Sequence, residues 1–316
     1  MNGGEEENRT TQNIRLLPSP NPYSQKRSSK MPSSPLSPPP PQPLTPQSFR
    51  LGCRNGTYNT TTTLTIPTVQ CNLLALPSRY APSFAQLCAR NPVSCPLLYS
   101  TLPGSPTTPL APGANLTTDL PKYNVYKDGK LLTPDGTASV EEYWTRDHVG
   151  FLIGCSFSFE WALSAAGFPP KHTLCVPVKC VPMFRTGIPL SPAGEFTAGC
   201  VVVSMRAYKE RDVEEVRRIT RSFRRQHGEP VAWGWDGARM LGIEEKVRKG
   251  LVDFGEWVEI DGDAGEVPVF WGCGVTPQVA VMESRIEGVV ISHVPGCMFV
   301  TDVPVEEEEE DPSPKL

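Results

Sequence analysis

A chain of 316 residues that is 39% hydrophobic and 20% charged has enough apolar material for one large core or two modest ones, and its composition excludes collagen, a coiled coil and a disulfide miniprotein. No run reaches the ~18–20 uncharged apolar residues of a membrane span, and the nearest, residues 151–168, carries Glu160 and ends in prolines. The net charge of −4 hides a split, because residues 8–118 hold nine Lys or Arg and no acid, a basic excess too dispersed and too poor in interleaved aromatics to mark a nucleic-acid partner.

Eleven of the 35 prolines fall between Pro18 and Pro46, in a segment without the apolar periodicity that would offset chain entropy. Residues 1–48 therefore read as a disordered Pro/Ser-rich tail, either a solvated extension or an arm for an aromatic-lined groove. The acidic start at Glu5, Glu6 and Glu7 does not suit a mitochondrial presequence, although the Ser-rich, acid-poor stretch behind it partly does. With no signal peptide expected, the location reads as intracellular, cytoplasmic or mitochondrial. The ten cysteines are then expected to be reduced, and the sequons at Asn8, Asn55, Asn59 and Asn115 to carry no glycan. Residues 306–316 form an acidic tail that is also expected to be disordered, which leaves 49–305 as the ordered unit.

Within that unit strands and helices mix. Ser83 ahead of Phe84, Leu87 and Cys88 marks a short helix, and Ser139 with Glu142 forms a capping box ahead of Tyr143 and Trp144. The β-branched run at 200–206 reads as a strand, followed by a charged helix over 211–225 that ends at His227-Gly228. Its arginines (217, 218, 221, 224 and 225) read as a solvated face in preference to a phosphate cradle.

Two segments resemble each other, Phe-Leu-Ile-Gly-Cys-Ser-Phe-Ser-Phe-Glu-Trp-Ala at 151–162 and Val-Phe-Trp-Gly-Cys-Gly-Val-Thr-Pro-Gln-Val-Ala at 269–280. Each reads as a buried strand, a Gly-Cys turn and a helix start, with Thr276 before Pro277 capping one helix and Ser156 or Ser158 the other. Two helix N-termini at strand ends suit a substrate with carboxylates; alternatively Gly-Cys only permits tight helix-to-strand packing.

Several side chains in these segments have chemistry available. Cys155 or Cys273 at a helix N-terminus would have a lowered thiolate pKa, unless it is an inert buried thiol. His293 at the end of the strand through residues 289–291 is either an acid or base or a core histidine. Arg185, on an apolar segment bounded by prolines, suits a carboxylate clamp. Glu160, one turn into a helix among Phe157, Phe159 and Trp161, would have its pKa raised by burial toward general-acid values, or else be a capping or solvated carboxylate. No dinucleotide fingerprint, phosphate loop, Gly-x-Ser-x-Gly or His-Glu-x-x-His sequence occurs, so the expected chemistry is cofactor-free. Cys175 and Cys180 lack a second pair and the four histidines are dispersed, so no metal is expected.

These segments, with Val-Pro-Met-Phe-Arg-Thr at 181–186, Val-Val-Ser-Met-Arg at 202–206, His-Val-Pro-Gly at 293–296 and Asp-Leu-Pro-Lys-Tyr at 119–123, resemble the hydro-lyase family that includes the D-glutamate cyclase-like proteins. The resemblance runs in order over 49–303. It implies a two-subdomain mixed α/β fold across 49–305 and, for the cyclase relatives, reversible dehydration of D-glutamate to 5-oxo-D-proline. On that reading His293 takes the amine proton, Glu160 is the acid, Cys155 or Cys273 carries an acyl group, and Ser156, Ser158, Arg185, Thr186, Thr276 and Gln278 hold a small carboxylate substrate. A homo-oligomer is left open. Three positions depart from the family pattern: Cys297 and Ala232, where relatives often have histidine, and Gly187, where they often have asparagine. The alternatives are a hydro-lyase acting on another hydroxy acid or amino acid, and a non-catalytic carboxylate-binding or interaction protein whose site has decayed at Cys297 and Ala232.

Overall fold

Apolar and β-branched runs pair into two antiparallel sheets in the computed structural model, which describes residues 44–64 and 66–305. In chain order the elements are α1 (Pro46–Arg54), β1 (Thr68–Pro77), α2 (Ala81–Arg90), β2 (Leu97–Ser100), β3 (Tyr123–Lys127), β4 (Lys130–Leu131), β5 (His148–Gly154) and α3 (Phe157–Ala165). They continue with β6 (Met183–Pro189), β7 (Cys200–Lys209), α4 (Val213–Arg221), β8 (Ala232–Trp233), α5 (Gly234–Met240), α6 (Glu244–Arg248), β9 (Glu266–Gly272), α7 (Thr276–Ser284), β10 (Val289–His293) and β11 (Phe299–Pro304). The larger sheet runs β2-β5-β1-β10-β3-β4 with β11 also on β1, and the smaller runs β6-β7-β9-β8. This is the mixed α/β fold expected, with every strand pair antiparallel.

β1 is buried at every position because it has strands on both edges and cover on both faces. Its period of two sends Leu74 and Leu76 toward Phe84 and Leu87 of α2, and Leu73 and Ala75 toward Leu116, Leu120 and Tyr123. In β7 the same alternation puts Val203 and Met205 against α5 and α6, while Ser204 and Arg206 share the face toward α3. The helix after β7 forms over 213–221, flanked by single 3-10 turns, and the chain then turns through His227 at φ 83 and Gly228 at φ 67.

Two local expectations change. The Ser139 capping box heads no helix: Ser139 Oγ accepts from Glu141 N at 3.3 Å, and after one turn the chain enters β5 at His148. α1 begins at Pro46, inside the stretch assigned to the tail, with Thr45 Oγ1 accepting from Ser48 N at 3.1 Å and Ser48 Oγ from Thr45 N at 2.9 Å. Serine replaces the usual acidic partner in this box. Phe49 and Cys53 anchor the helix against Val300. The rest of the N-terminal stretch, residues 1–43, and the acidic stretch 306–316 lie outside the described residues. All ten cysteines are free, and among the described residues no helix is long and apolar enough to cross a membrane.

Candidate active site

The two Gly-Cys turns meet. Gly154 ends β5 and leads through Cys155 and Ser156 into α3; Gly272 ends β9 and leads through Cys273 and Gly274 into α7. Both turns line one small cavity, closed by Asn72 of β1 and by Met183 and Met298. Its unfilled space is about 20 Å³, enough for roughly one water. Admission of a substrate therefore requires side chains to move, and flexible thioethers are suited to that. The glycines are there for close approach: a Cβ at Gly154 would overlap the Arg225 carbonyl oxygen, and one at Gly274 would overlap the Asn72 amide.

Of the two readings of these thiols, burial favours the one without a lowered pKa. It pushes Cys155 well above the ordinary thiol range, Cys273 to about 11 and Cys180, also on the cavity, to about 12. Each turn does lend an N–H to its sulfur (Phe157 N lies 3.5 Å from Cys155 Sγ), but desolvation outweighs that help. The thiols at neutral pH are protonated, weak donors. Cys155, Cys180 and Cys273 all face the cavity, yet among the described residues no three His, Cys, Asp or Glu side chains converge as a metal site.

Behind Ser156 stands a buried charge cluster. The Arg206 side chain is fully inaccessible; Nε donates to Glu160 Oε1 at 2.9 Å, Nη1 to Ser204 Oγ at 3.1 Å, Nη2 to Ser156 Oγ at 3.1 Å, and Nη2 also to Glu160 Oε1. His172 Nε2 lies 3.4 Å from Glu160 Oε2, an ion-pair separation without hydrogen-bond geometry. Burial alone would raise the Glu160 pKa, as expected, but His172 and Arg206 outweigh it and hold the carboxyl down at about 2. Glu160 is thus a fixed anion and not a general acid. Because Ser156 Oγ accepts from Arg206, its own hydrogen is free to donate elsewhere.

The remaining candidates disperse. Arg185 is 41% exposed and ion-paired with Glu283, so it clamps nothing in the cavity. His293 is fully buried at the end of β10, with Nδ1 2.8 Å from Gln278 Nε2 and 3.2 Å from Leu73 O, and it does not line the cavity. Ser158 Oγ accepts from Gln70 N at 2.9 Å, Thr186 Oγ1 donates to Val201 O at 2.8 Å, and Thr276 Oγ1 accepts from Val202 N at 3.0 Å, so all three tie helix or strand to strand. Neither Ser156 nor Thr276 caps a helix with its side chain. Among the departures, Ala232 packs under Gly237 and Gly187 N donates to Leu241 O, both away from the cavity. Cys297 follows the cavity-lining Gly296 but turns its sulfur toward Asn59 O at 3.4 Å. Asn72, His172 and Arg206 are the site residues that sequence reasoning missed. An asparagine inside an apolar strand was the available sign of the first.

The buried histidines set the acid response. Burial holds His227 and His293 at about 4, below the ordinary value of 6.5, so between these limits the unfolded chain binds protons that the native chain refuses. Stability is therefore expected to be full above about pH 6.5 and to fall as pH drops toward 4. Glu160, held at about 2 against 4.5, extends the decline below pH 4.5. Urea midpoints at pH 7, 5 and 4 read this directly, and a His293→Gln variant should flatten the slope between 7 and 4.

Residues 149–302 match the D-glutamate cyclase family. A protein of Schizosaccharomyces pombe named "Putative hydro-lyase" is 49% identical over 240 residues, covering 74% of this chain and 76% of its own. Proteins of the same name from Geobacillus kaustophilus and Paracoccus denitrificans are 43% and 44% identical, over 74% and 84% of this chain and 84% and 96% of theirs. The structure of a nitrogen repressor-like protein from Methanococcus jannaschii aligns with 82% of this chain and 95% of that one at 8% identity and a TM-score of 0.36, too slight a likeness to carry an argument.

Proposed function

The chain belongs to the D-glutamate cyclase-like hydro-lyase family, and from that premise we propose that it interconverts D-glutamate and 5-oxo-D-proline in the cavity between the two Gly-Cys turns. The observation that carries the reading is the convergence of both turns, Asn72 and Ser156 on one enclosed space.

In the forward direction the α-nitrogen attacks the γ-carboxyl carbon, a C–N bond forms and a γ C–O bond breaks. Two of the three ammonium protons end on the departing oxygen, which leaves as water, so no net proton enters or leaves the site. What the protein must supply is relay and stabilisation. Backbone N–H groups of the turns face the tetrahedral oxyanion, where fixed dipoles act in a water-poor space. The Ser156 hydroxyl, polarised by Arg206, donates to the γ-carboxyl oxygen. Asn72 Nδ2 is committed to Gly154 O at 2.9 Å, which leaves its carbonyl oxygen to accept from the substrate amine. The protonated thiols of Cys155 and Cys273 suit proton delivery better than an acyl-thioester intermediate.

Proton NMR of the purified chain with D-glutamate, L-glutamate and 5-oxo-D-proline tests the reading. The expected result is lactam from the D isomer, none from the L isomer, and glutamate from the lactam. No lactam in a folded sample overturns it. The relatives' name also admits elimination of water from a hydroxy acid, which the same spectra would reveal as an olefinic resonance.

A further inference from the structure

Three of the arginines that follow β7 line a second space. An open cleft of about 680 Å³ lies between the chain after α2 at Pro92 and Val93, the helix α4 with its following turn, and the edge strand β8. Arg217 and Arg221, one helical turn apart, and Arg224 from the next turn line it together with His227 and Trp233. Two carboxylates offset part of this charge: Arg217 reaches Glu214 at 2.6 Å and Glu229 at 2.9 Å, and Arg221 reaches Glu229 at 3.4 Å and Glu214 at 3.9 Å. Arg224 has no ion pair or hydrogen-bond partner among the described residues. Three guanidinium groups thus face two carboxylates, with one cation left over.

Arg217 Nε is buried without a hydrogen-bond partner and Arg221 Nε has only Glu229 Oε1 at 3.4 Å, while His227 is a buried wall residue whose Nδ1 lies 2.7 Å from Val93 O. Trp233 is 40% exposed, with the Arg217 guanidinium 4.3 Å from its ring centroid. Pro92 and Pro230 add apolar wall.

We propose that this cleft binds a phosphomonoester that carries a planar ring. A phosphate dianion satisfies several guanidinium donors at once, in the fork geometry arginine offers. The exposed part of the Trp233 indole and the proline wall take the ring, and the volume falls within the range of ligand pockets. The cleft is distinct from the cavity between the Gly-Cys turns, and the inference stands whether or not that cavity makes a lactam.

Isothermal titration of the full chain with adenosine monophosphate, adenosine, inorganic phosphate and D-glutamate is the test. Adenosine monophosphate should bind more tightly than either fragment, and Arg224→Ala should weaken it about tenfold or more. That side chain has no partner to lose, so the fold and the turnover of D-glutamate should be unchanged. Trp233→Ala should weaken adenosine monophosphate but not inorganic phosphate. Adenosine or phosphate binding as tightly as the whole, D-glutamate binding that Arg224→Ala abolishes, no binding of adenosine monophosphate, or binding indifferent to Arg224→Ala would each overturn the proposal.

Discussion

Replacing Arg206 with alanine is expected to cost about 3–5 kcal/mol of stability, because it leaves the Glu160 carboxylate buried with only His172 beside it. The guanidinium is held on every side: Ser156, Ser204 and Glu160 accept from it, and the rings of Phe159 and Trp271 lie 5.3 and 5.2 Å from its carbon. Arg206→Lys keeps the charge but loses the fork that reaches two serines and a carboxylate together, so most of the loss should remain. A double variant, Arg206→Ala with Glu160→Gln, separates packing from charge. Removing the stranded anion should restore part of the stability, giving a coupling of about 1–3 kcal/mol in the cycle. Urea midpoints of the four proteins measure it. A loss below about 1 kcal/mol for Arg206→Ala would mean that Glu160 takes up a proton or finds water, and the cluster would not be the fixed ion pair described.

How much of this was legible before the structure depends on whether the determining contact was local. The β7 to α4 unit was readable because a β-branched run and an acidic-then-basic helix each announce themselves within a few residues. The two Gly-Cys turns were readable as a repeat; that they meet was not, because β5 and β9 belong to different sheets. The Ser139 box failed because a cap needs several further turns of helix, and β5 begins too soon. Arg185 drew attention through its unusual neighbours, but its partner Glu283 is nearly a hundred residues away and no local pattern shows the pairing. Arg206 was hidden inside the same β-branched run that identified its strand, and only the alternation of β7 with the position of α3 turns it inward. For Glu160 burial was one of the readings on offer; the sign of its pKa shift was not, because that sign belongs to Arg206 and His172.

The glycines of the turns offer the sharper test of the cavity itself. Gly154→Ala would drive its Cβ into the Arg225 carbonyl oxygen, a backbone group flanked by the buried Gln226 and His227 that cannot step aside. The expected result is a loss of about 2–3 kcal/mol or more, from overpacking against backbone. Gly274→Ala meets the Asn72 side chain first, which can rotate away at the cost of its bonds to Ile153 O at 3.3 Å and Gly154 O at 2.9 Å. Its stability loss should be smaller, about 1–2 kcal/mol, while D-glutamate turnover should fall by at least tenfold because Asn72 no longer faces the substrate. Adding Asn72→Ala to Gly274→Ala removes the clash, and with it should return stability without turnover. If turnover returns as well, Asn72 is a spacer and the amine must be met by another group on the cavity wall. If neither single variant changes turnover while both fold, the chemistry does not happen between these two turns.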